Sequence, residues 1–231
     1  PQLIQGEVAQ VVAAEPDIQK PMNIAFDDRS RLWVTDSVEY PYPAKPSATP
    51  RDTIKILEDT DGDGRADRVK TFVGGLNIPI GILPLSVAKG GGCVAYSIPS
   101  IYRFTDRDGD DRADSRDVLY TGFGFVDTHG MSSSYTWGFD GWIYATHGFA
   151  NNSEVKGSDG DVVKMNSGNT YRFRPDGSRI EQWTWGQVNP FGLAFDPLGN
   201  LYSADCHSRP IMMLLRGAYY QSFGKPHDGL G

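Results

Sequence analysis

Phe191-Gly-Leu-Ala-Phe-Asp-Pro-Leu-Gly-Asn-Leu-Tyr-Ser-Ala-Asp205 is a short apolar run, a turn rich in Asp, Pro and Gly, and a second apolar run. This is the pattern of a β-hairpin. It recurs as Asn23-Ile-Ala-Phe-Asp-Asp-Arg-Ser-Arg-Leu-Trp-Val-Thr-Asp36 and as Thr136-Trp-Gly-Phe-Asp-Gly-Trp-Ile-Tyr-Ala-Thr146. A looser copy is Ile80-Gly-Ile-Leu83 running on to Cys93-Val-Ala-Tyr-Ser97. The anchors Phe26, Leu83, Phe139 and Phe195 are spaced 57, 56 and 56 residues apart. A fixed period of this length marks a repeat architecture, whereas an ordinary β-sandwich has no fixed period.

A second hairpin follows each of the first three copies. Thr53-Ile-Lys-Ile-Leu57 leads to Arg68-Val-Lys-Thr-Phe-Val73, Ile101-Tyr-Arg-Phe104 to Asp117-Val-Leu-Tyr120, and Thr170-Tyr-Arg-Phe-Arg174 to Ile180-Glu-Gln-Trp-Thr-Trp185. Each unit is therefore four antiparallel strands, a to d, and such units repeated along a chain predict an all-β, β-propeller fold. The last unit has a and b, a candidate c at Ile211–Leu215, and no clear d. Glu7-Val-Ala-Gln-Val-Val-Ala13 reads as a lone strand d that would complete the last blade.

Composition sets the outer bounds. The 231 residues carry 22 basic and 29 acidic side chains, a net charge of −7, with 39% hydrophobic and 12% aromatic residues. That is enough apolar material for a core and excludes a disordered chain. The acidic balance disfavours nucleic acid or an anionic membrane as partner. No apolar run approaches the ~20 residues of a membrane helix, and the opening Pro1-Gln-Leu-Ile-Gln-Gly6 lacks the basic start and apolar core of a signal peptide. With 27 Gly and 15 Pro the chain exceeds the usual ~12% share of these residues, as many short strands and turns require. One domain, residues 1–231, is expected.

Strand alternation sorts residues by face. The links from d to a and from b to c share one face, which carries Asn23, Asn77, His129 and Asn189 before strands a, and Asp36, Ser97, His147, Asp205 and His207 after strands b. The fourth histidine, His227, lies in the C-terminal tail. Polar and titratable groups converging near a propeller axis make the candidate site. They would alternatively satisfy loop backbone.

Two acidic loops fall on the opposite face. Asp59-Thr-Asp-Gly-Asp-Gly-Arg-Ala-Asp67 places carboxylates at positions 1, 3, 5 and 9 and Gly64 at 6, like the front of an EF-hand loop, where alternate oxygens wrap a hard cation. Position 12 holds Lys70 instead of an acid. Asp106-Arg-Asp-Gly-Asp-Asp-Arg-Ala-Asp114 repeats the pattern, with Asp111 in the glycine position and Asp117 at 12. The expected ligands of two structural Ca2+ ions are Asp59, Asp61, Asp63, Asp67 and the Arg65 carbonyl in the first loop. In the second they are Asp106, Asp108, Asp110, Asp114, Asp117 and the Arg112 carbonyl. Unscreened, carboxylates this dense would repel one another.

Other motifs are weak. Cys93 and Cys206 fall on opposite faces, too far apart to pair, and Cys206 is expected to be a buried thiol. The five tryptophans sit in or beside strands and are expected in the core, although one facing a sugar would also fit. Ser132–Ser134 follows His129 without any third group that would make a nucleophile.

The chain resembles the propeller domain of the planctomycete-type membrane-bound dehydrogenases, a branch of the soluble glucose/sorbosone dehydrogenase superfamily. The matching stretches are Leu57–Asp67, Trp137–Tyr144, Asn189–Pro197, Ser203-Ala-Asp-Cys-His207, Leu214–Tyr220 and Phe223–Gly231. The resemblance implies a six-bladed ring, pyrroloquinoline quinone (PQQ) held by calcium, a sugar or polyol substrate, and a cytochrome as electron acceptor. A periplasmic or otherwise exported protein is expected. In the family a histidine before a strand a takes the proton of the sugar C1 hydroxyl, and here Asp127-Thr-His129 holds that place, which makes His129 the expected base. Asn189, His147, Asp205, His207 and Asn77 are the implied cofactor-binding residues. Two positions depart from the family: Val188 stands where its arginine contacts the cofactor, and Phe149 where an aspartate follows the next strand b. A sugar dehydrogenase is the leading expectation. The alternatives are a non-catalytic carbohydrate- or protein-binding propeller and a lactonase-type hydrolase with a metal held by Asn77, Asn189 and Asp205. About four blades fit in 231 residues, so two of six are expected to be missing; the alternative is a closed four-blade ring latched by Glu7–Ala13.

Overall fold

A computed structural model describes residues 9–221. Three four-stranded antiparallel sheets and one of three strands form the propeller blades. Blade 1 is β1 (Pro21–Phe26), β2 (Leu32–Asp36), β3 (Asp52–Glu58) and β4 (Arg68–Leu76); blade 2 is β5 (Ile82–Pro84), β6 (Cys93–Ser97), β7 (Ser100–Thr105) and β8 (Ser115–Thr121). Blade 3 comprises β9 (Ser133–Trp137), β10 (Ile143–His147), β13 (Gly168–Phe173) and β14 (Ile180–Gln187), with a separate hairpin, β11 (Asn152–Lys156) and β12 (Val162–Asn166), inserted between strands b and c. Blade 4 is β15 (Pro190–Phe195), β16 (Leu201–Asp205) and β17 (Ile211–Leu214). The expected repeat of four-stranded units is therefore present.

The Phe-Asp pair of the repeat has a physical reason. Asp27 ends strand a, and its carboxylate accepts the backbone N–H of Arg29 and Arg31 at 3.0 and 2.9 Å and the indole N–H of Trp33 at 3.0 Å. Asp196 takes the N–H of Leu198 and Asn200 at 2.9 and 2.8 Å. Asp140 takes Trp142 N–H at 3.2 Å and the Tyr144 hydroxyl at 3.0 Å. A short side-chain acceptor closes the turn that two strands need, and it anchors the aromatic residue of strand b at the same time. The turn sets the register Phe26 to Leu32 and Phe195 to Leu201.

Strands b and c are the buried layers. Every residue of β6, β10 and β13 is buried. Consecutive blades pack through their innermost strands, β1 on β5, β5 on β9, and β9 and β10 on β15. The largest cluster joins Tyr96, Tyr120, Phe123, Tyr135, Tyr171 and Phe173 across blades 2 and 3. Burying each such ring stabilises by roughly 1.5–3 kcal/mol.

Four findings depart from the sequence expectations or add to them. Residues 9–13 form no strand and do not reach blade 4. Instead, the Val12 carbonyl accepts Ala66 N–H at 2.9 Å and Gln10 Nε2 donates to the Asp63 carbonyl at 2.5 Å, so this segment lies on the first acidic loop of blade 1; Glu7 and Val8 lie outside the described residues. Second, the hairpin Asn152–Asn166 escaped the repeat analysis because it belongs to one blade only. Its alternating Ser153 and Val155 against Met165, around Gly157-Ser-Asp-Gly160, carried the signal. Third, the segment after β17 turns back to blade 3, where Tyr219 bridges Trp185 in parallel and Ala218 and Tyr220 bond the Trp185 backbone at 3.0 and 2.8 Å. Fourth, Cys206 is exposed, although Cys93 is buried and both are free, as expected. Trp33 and Trp142 are core residues, while Trp137, Trp183 and Trp185 are half-buried.

Candidate functional site

The polar residues ending each strand b do share one end of the molecule, and most close their own blade. Asp36 accepts Gln19 N–H at 2.8 Å, Ser97 accepts Asn77 N–H at 2.9 Å, and Asp205 accepts Val188 and Asn189 N–H at 3.0 and 3.1 Å. In each case the end of strand b captures the link entering strand a, whose amides have no ladder partner. Asp205 takes His207 N–H as well, at 3.1 Å. The Asn77 amide oxygen accepts Ala44 N–H at 3.0 Å and that of Asn189 accepts Phe149 N–H at 3.2 Å. Gly148 is required here, since a Cβ would lie 2.1 Å from the Asn189 oxygen. The three residues a lactonase-type metal would need therefore spend carboxylate or amide oxygens on backbone.

His147 is enclosed. Its Nδ1 lies 2.7 Å from the Ser167 carbonyl, which can only accept, so Nδ1 carries the proton. Nε2 then accepts the Ser153 hydroxyl at 2.7 Å, and Ser153 Oγ accepts Gly124 N–H at 2.8 Å. Burial lowers its pKa to about 4, against a raising contribution from the Ser167 bond. Both nitrogens serve to tie the inserted hairpin to strand b.

His129 differs from its neighbours. It stands in the link entering β9 and its side chain is 60% exposed. Nδ1 lies 2.8 Å from Asp127 Oδ1, which also accepts the His129 N–H at 2.9 Å. The opposite nitrogen, Nε2, has no hydrogen-bond partner among the described residues, on a side chain that is largely exposed. Asp127 is held in turn by Asn151, fully buried, whose amide oxygen accepts Asp127 N–H at 3.1 Å and whose Nδ2 donates to the carbonyls of Asp127 and Gly130 at 2.8 and 2.9 Å. Tyr40, from the long loop after β2, packs edge-on against the His129 ring at 5.3 Å and 73°. The same loop is pinned by Thr128 Oγ1 donating to the Pro41 carbonyl at 2.7 Å. Burial, then the charge of Asp127, raises the Tyr40 pKa. Asn151 and Tyr40 escaped the sequence analysis because each acts across the fold from His129; only the polarity of the link after β10 hinted at the first.

A carboxylate that accepts the proton side of an imidazole orients the ring and stabilises its charged form. The Asp127–His129 pair can therefore take a proton at Nε2 from a hydroxyl approaching the open face. The neighbouring serines have other work: Ser132 Oγ bonds the Tyr135 hydroxyl at 2.9 Å and that of Tyr171, Ser133 bonds Thr146, and Ser134 donates to the Phe191 carbonyl.

The acidic loops connect β3 to β4 and β7 to β8, at the far end. Carboxylate oxygens of Asp59, Asp61 and Asp67 lie within 4.8 Å of one another, as do those of Asp106, Asp108 and Asp114. Asp59 accepts Gly62 and Gly64 N–H at 2.7 and 2.8 Å; Asp106 accepts Gly109 and Asp111 N–H at 2.8 and 3.0 Å. Asp63, Asp110 and Asp117 lie outside the two clusters: the first two cap Arg65 and Arg112 N–H at 2.7 and 2.9 Å, and Asp117 lies in β8 facing Ser115 Oγ at 3.3 Å. Asp111 adopts the left-handed φ of 65° expected at its glycine position. Its side chain pairs with Arg31 at 2.7 Å and Lys70 at 3.1 Å, bridging blade 2 to blade 1.

The family described as "Domain of unknown function (DUF7133)" matches residues 2–229. No curated protein matches the chain. Among solved structures, the PQQ-bound aldose sugar dehydrogenase of Streptomyces coelicolor is 18% identical with a TM-score of 0.65, covering 97% of this chain and 68% of that one. A Thermus thermophilus protein described as an oxidoreductase of the glucose dehydrogenase kind is 17% identical, with a TM-score of 0.61 and coverage of 92% and 67%. The PQQ domain of pyranose dehydrogenase from Coprinopsis cinerea is 16% identical, with a TM-score of 0.57 and coverage of 84% and 45%. The chain thus spans about two thirds of the first two structures and under half of the third. At these identities the likeness shows the fold. Among the described residues no helix is long and apolar enough to cross a membrane.

Proposed function

The chain belongs to the DUF7133 family, and we propose that it is a sugar- or polyol-oxidising propeller in which His129 is the general base. The observation that carries this reading is the Asp127–His129 pair, 2.8 Å apart, with the imidazole side chain 60% exposed. In this reading a sugar hydroxyl donates its proton to Nε2 while the hydride of the same carbon passes to an external two-electron acceptor, and Asp127 accepts Nδ1–H and stabilises the imidazolium. Asn151 holds Asp127 in place, and Tyr40 fixes the ring plane. The likeness to the PQQ-bound aldose sugar dehydrogenase and to the PQQ domain of pyranose dehydrogenase supports the substrate class.

PQQ carries three carboxylates and needs cationic or N–H partners. Of the implied positions, Val188, His147, Asp205 and Asn189 do not fit it. Val188 is fully buried and its N–H is given to Asp205. His147 has both nitrogens bonded, and the Asp205 carboxylate and Asn189 amide oxygen are committed to backbone. Calcium at the two acidic loops belongs to the proposal as a structural element, held by Asp59, Asp61 and Asp67 and by Asp106, Asp108 and Asp114.

The test is dye reduction with a panel of aldoses and polyols, with and without added PQQ and calcium, on the protein and on His129→Ala. The reading expects sugar-dependent reduction that falls by about 10²–10⁴-fold in the variant. An absence of reduction under every condition, or an unaffected His129→Ala, overturns it and favours a non-catalytic propeller.

A further inference from the structure

The hairpin inserted in blade 3 builds a second surface that the His129 reading does not use. By register, Asn152 faces Asn166 and Glu154 faces Lys164, and all four point to the outer side of the hairpin, while Ser153, Val155 and Met165 are buried beneath. Glu154 and Lys164 form an ion pair at 3.3 Å. Trp185 of strand β14 closes the same recess, which has a volume of about 420 Å3. That lies within the ~300–1,000 Å3 of small-molecule sites.

The Trp185 backbone is bonded in both directions by the returning segment, through Ala218 and Tyr220, so the indole is presented from a fixed strand. The hairpin is also fixed: Glu154 N–H donates to the Gly122 carbonyl at 3.1 Å, Ser153 bonds His147 and Gly124, and Asn166 N–H donates to Asn169 Oδ1 at 3.1 Å. The recess is therefore preorganised, which lowers the entropic cost of binding.

Its chemistry selects a class of ligand. The one acid and one base neutralise each other across the strands, so there is no net charge to draw an ion. Two facing amides offer paired donors and acceptors, and an indole offers an apolar, electron-rich face. A neutral molecule with a rim of hydroxyls and an apolar C–H face meets all three demands. We propose that this recess, formed by Asn152, Glu154, Lys164, Asn166 and Trp185, binds a neutral carbohydrate unit, separately from the chemistry at His129.

The experiment is saturation-transfer NMR on the whole chain, with cello-, malto- and laminari-oligosaccharides as probes and dissociation constants from titration. The proposal expects transfer from at least one probe, unchanged in His129→Ala, and about tenfold weaker binding in Trp185→Ala, the equivalent of one lost ring contact. Asn152→Ala with Asn166→Ala, both on the outer face, should weaken it comparably and serves if Trp185→Ala does not fold. No transfer from any probe overturns the proposal, as does binding unchanged in the folded Trp185 or Asn152/Asn166 variants. Loss of binding in His129→Ala alone would place the sugar at the other site and overturn it too. Because this measurement reads binding, an inactive but sugar-binding protein refutes the dehydrogenase reading and leaves this one standing.

Discussion

Lowering the pH should unlatch the inserted hairpin through His147. In the folded chain burial holds its pKa at about 4, against 6.5 for an ordinary histidine. A base with a depressed folded pKa stays neutral in the fold while the unfolded chain takes up a proton. Stability is therefore full above pH ~6.5, falls as pH drops from about 6.5 to about 4, and stops falling from this source below that. The separation of the two values, at 1.36 kcal/mol per pH unit, amounts to about 3 kcal/mol. The structure supplies the reason for the penalty. Protonated Nε2 would become a donor facing Ser153 Oγ at 2.7 Å, and that hydroxyl would have to turn its own proton elsewhere. Urea denaturation of the protein and of His147→Gln at pH 7, 5.5 and 4.5 measures the effect. The variant should be less stable at pH 7 and should lose less than the wild type on acidification, because carboxylate titrations are common to both. Parallel stability–pH curves, or an imidazole resonance of His147 titrating near 6.5, would refute the reasoning.

Three further outcomes follow from the same geometry. Arg172 lies between Trp142 and Trp183, 4.3 and 4.8 Å from their ring centres, and is paired with Glu181 at 2.7 Å and Asp140 at 2.8 Å; Arg172→Ala should cost about 2–4 kcal/mol in urea unfolding, since two carboxylates and two rings lose a partly buried partner. Asp111→Asn keeps the left-handed backbone tolerable but removes the charge facing Arg31 and Lys70, so a loss of about 1–2 kcal/mol is expected, read as a lower urea midpoint; no change would mean that the bridge between blades 1 and 2 contributes nothing. If the acidic loops hold calcium, saturating metal at about 100 times Kd stabilises by about 2.7 kcal/mol, roughly 5–10 °C in Tm for a chain of this size. Asp59→Asn with Asp106→Asn should abolish that shift, and identical melting in excess calcium and in chelator would remove the metal from the account.

Local patterns carried much of this protein. The hairpin period, the Asp that follows the first strand of blades 1, 3 and 4, and the left-handed glycine position filled by Asp111 all act within a few residues, so their partners are adjacent in the chain. Features made by one blade alone were harder to read: β11 and β12 break the period instead of repeating it. The segment around Val12 shows a different limit, because its apolar alternation suits a strand, yet a backbone contact with Ala66 holds it elsewhere.

The candidate site divides along the same line. From the sequence alone come the propeller, the face on which the polar links gather, and the position of Asp127-Thr-His129. What the sequence could not separate was a gathered polar group that faces solvent from one consumed by backbone. His147 and His129 look alike in the sequence, each beside a strand end with a glycine next to it. Only the tertiary structure gives both nitrogens of the first to Ser167 and Ser153 and leaves the outer edge of the second exposed. The physical reason is that an imidazole is a ligand or a base only where no protein donor or acceptor has claimed it, and those claimants come from distant segments brought together by folding.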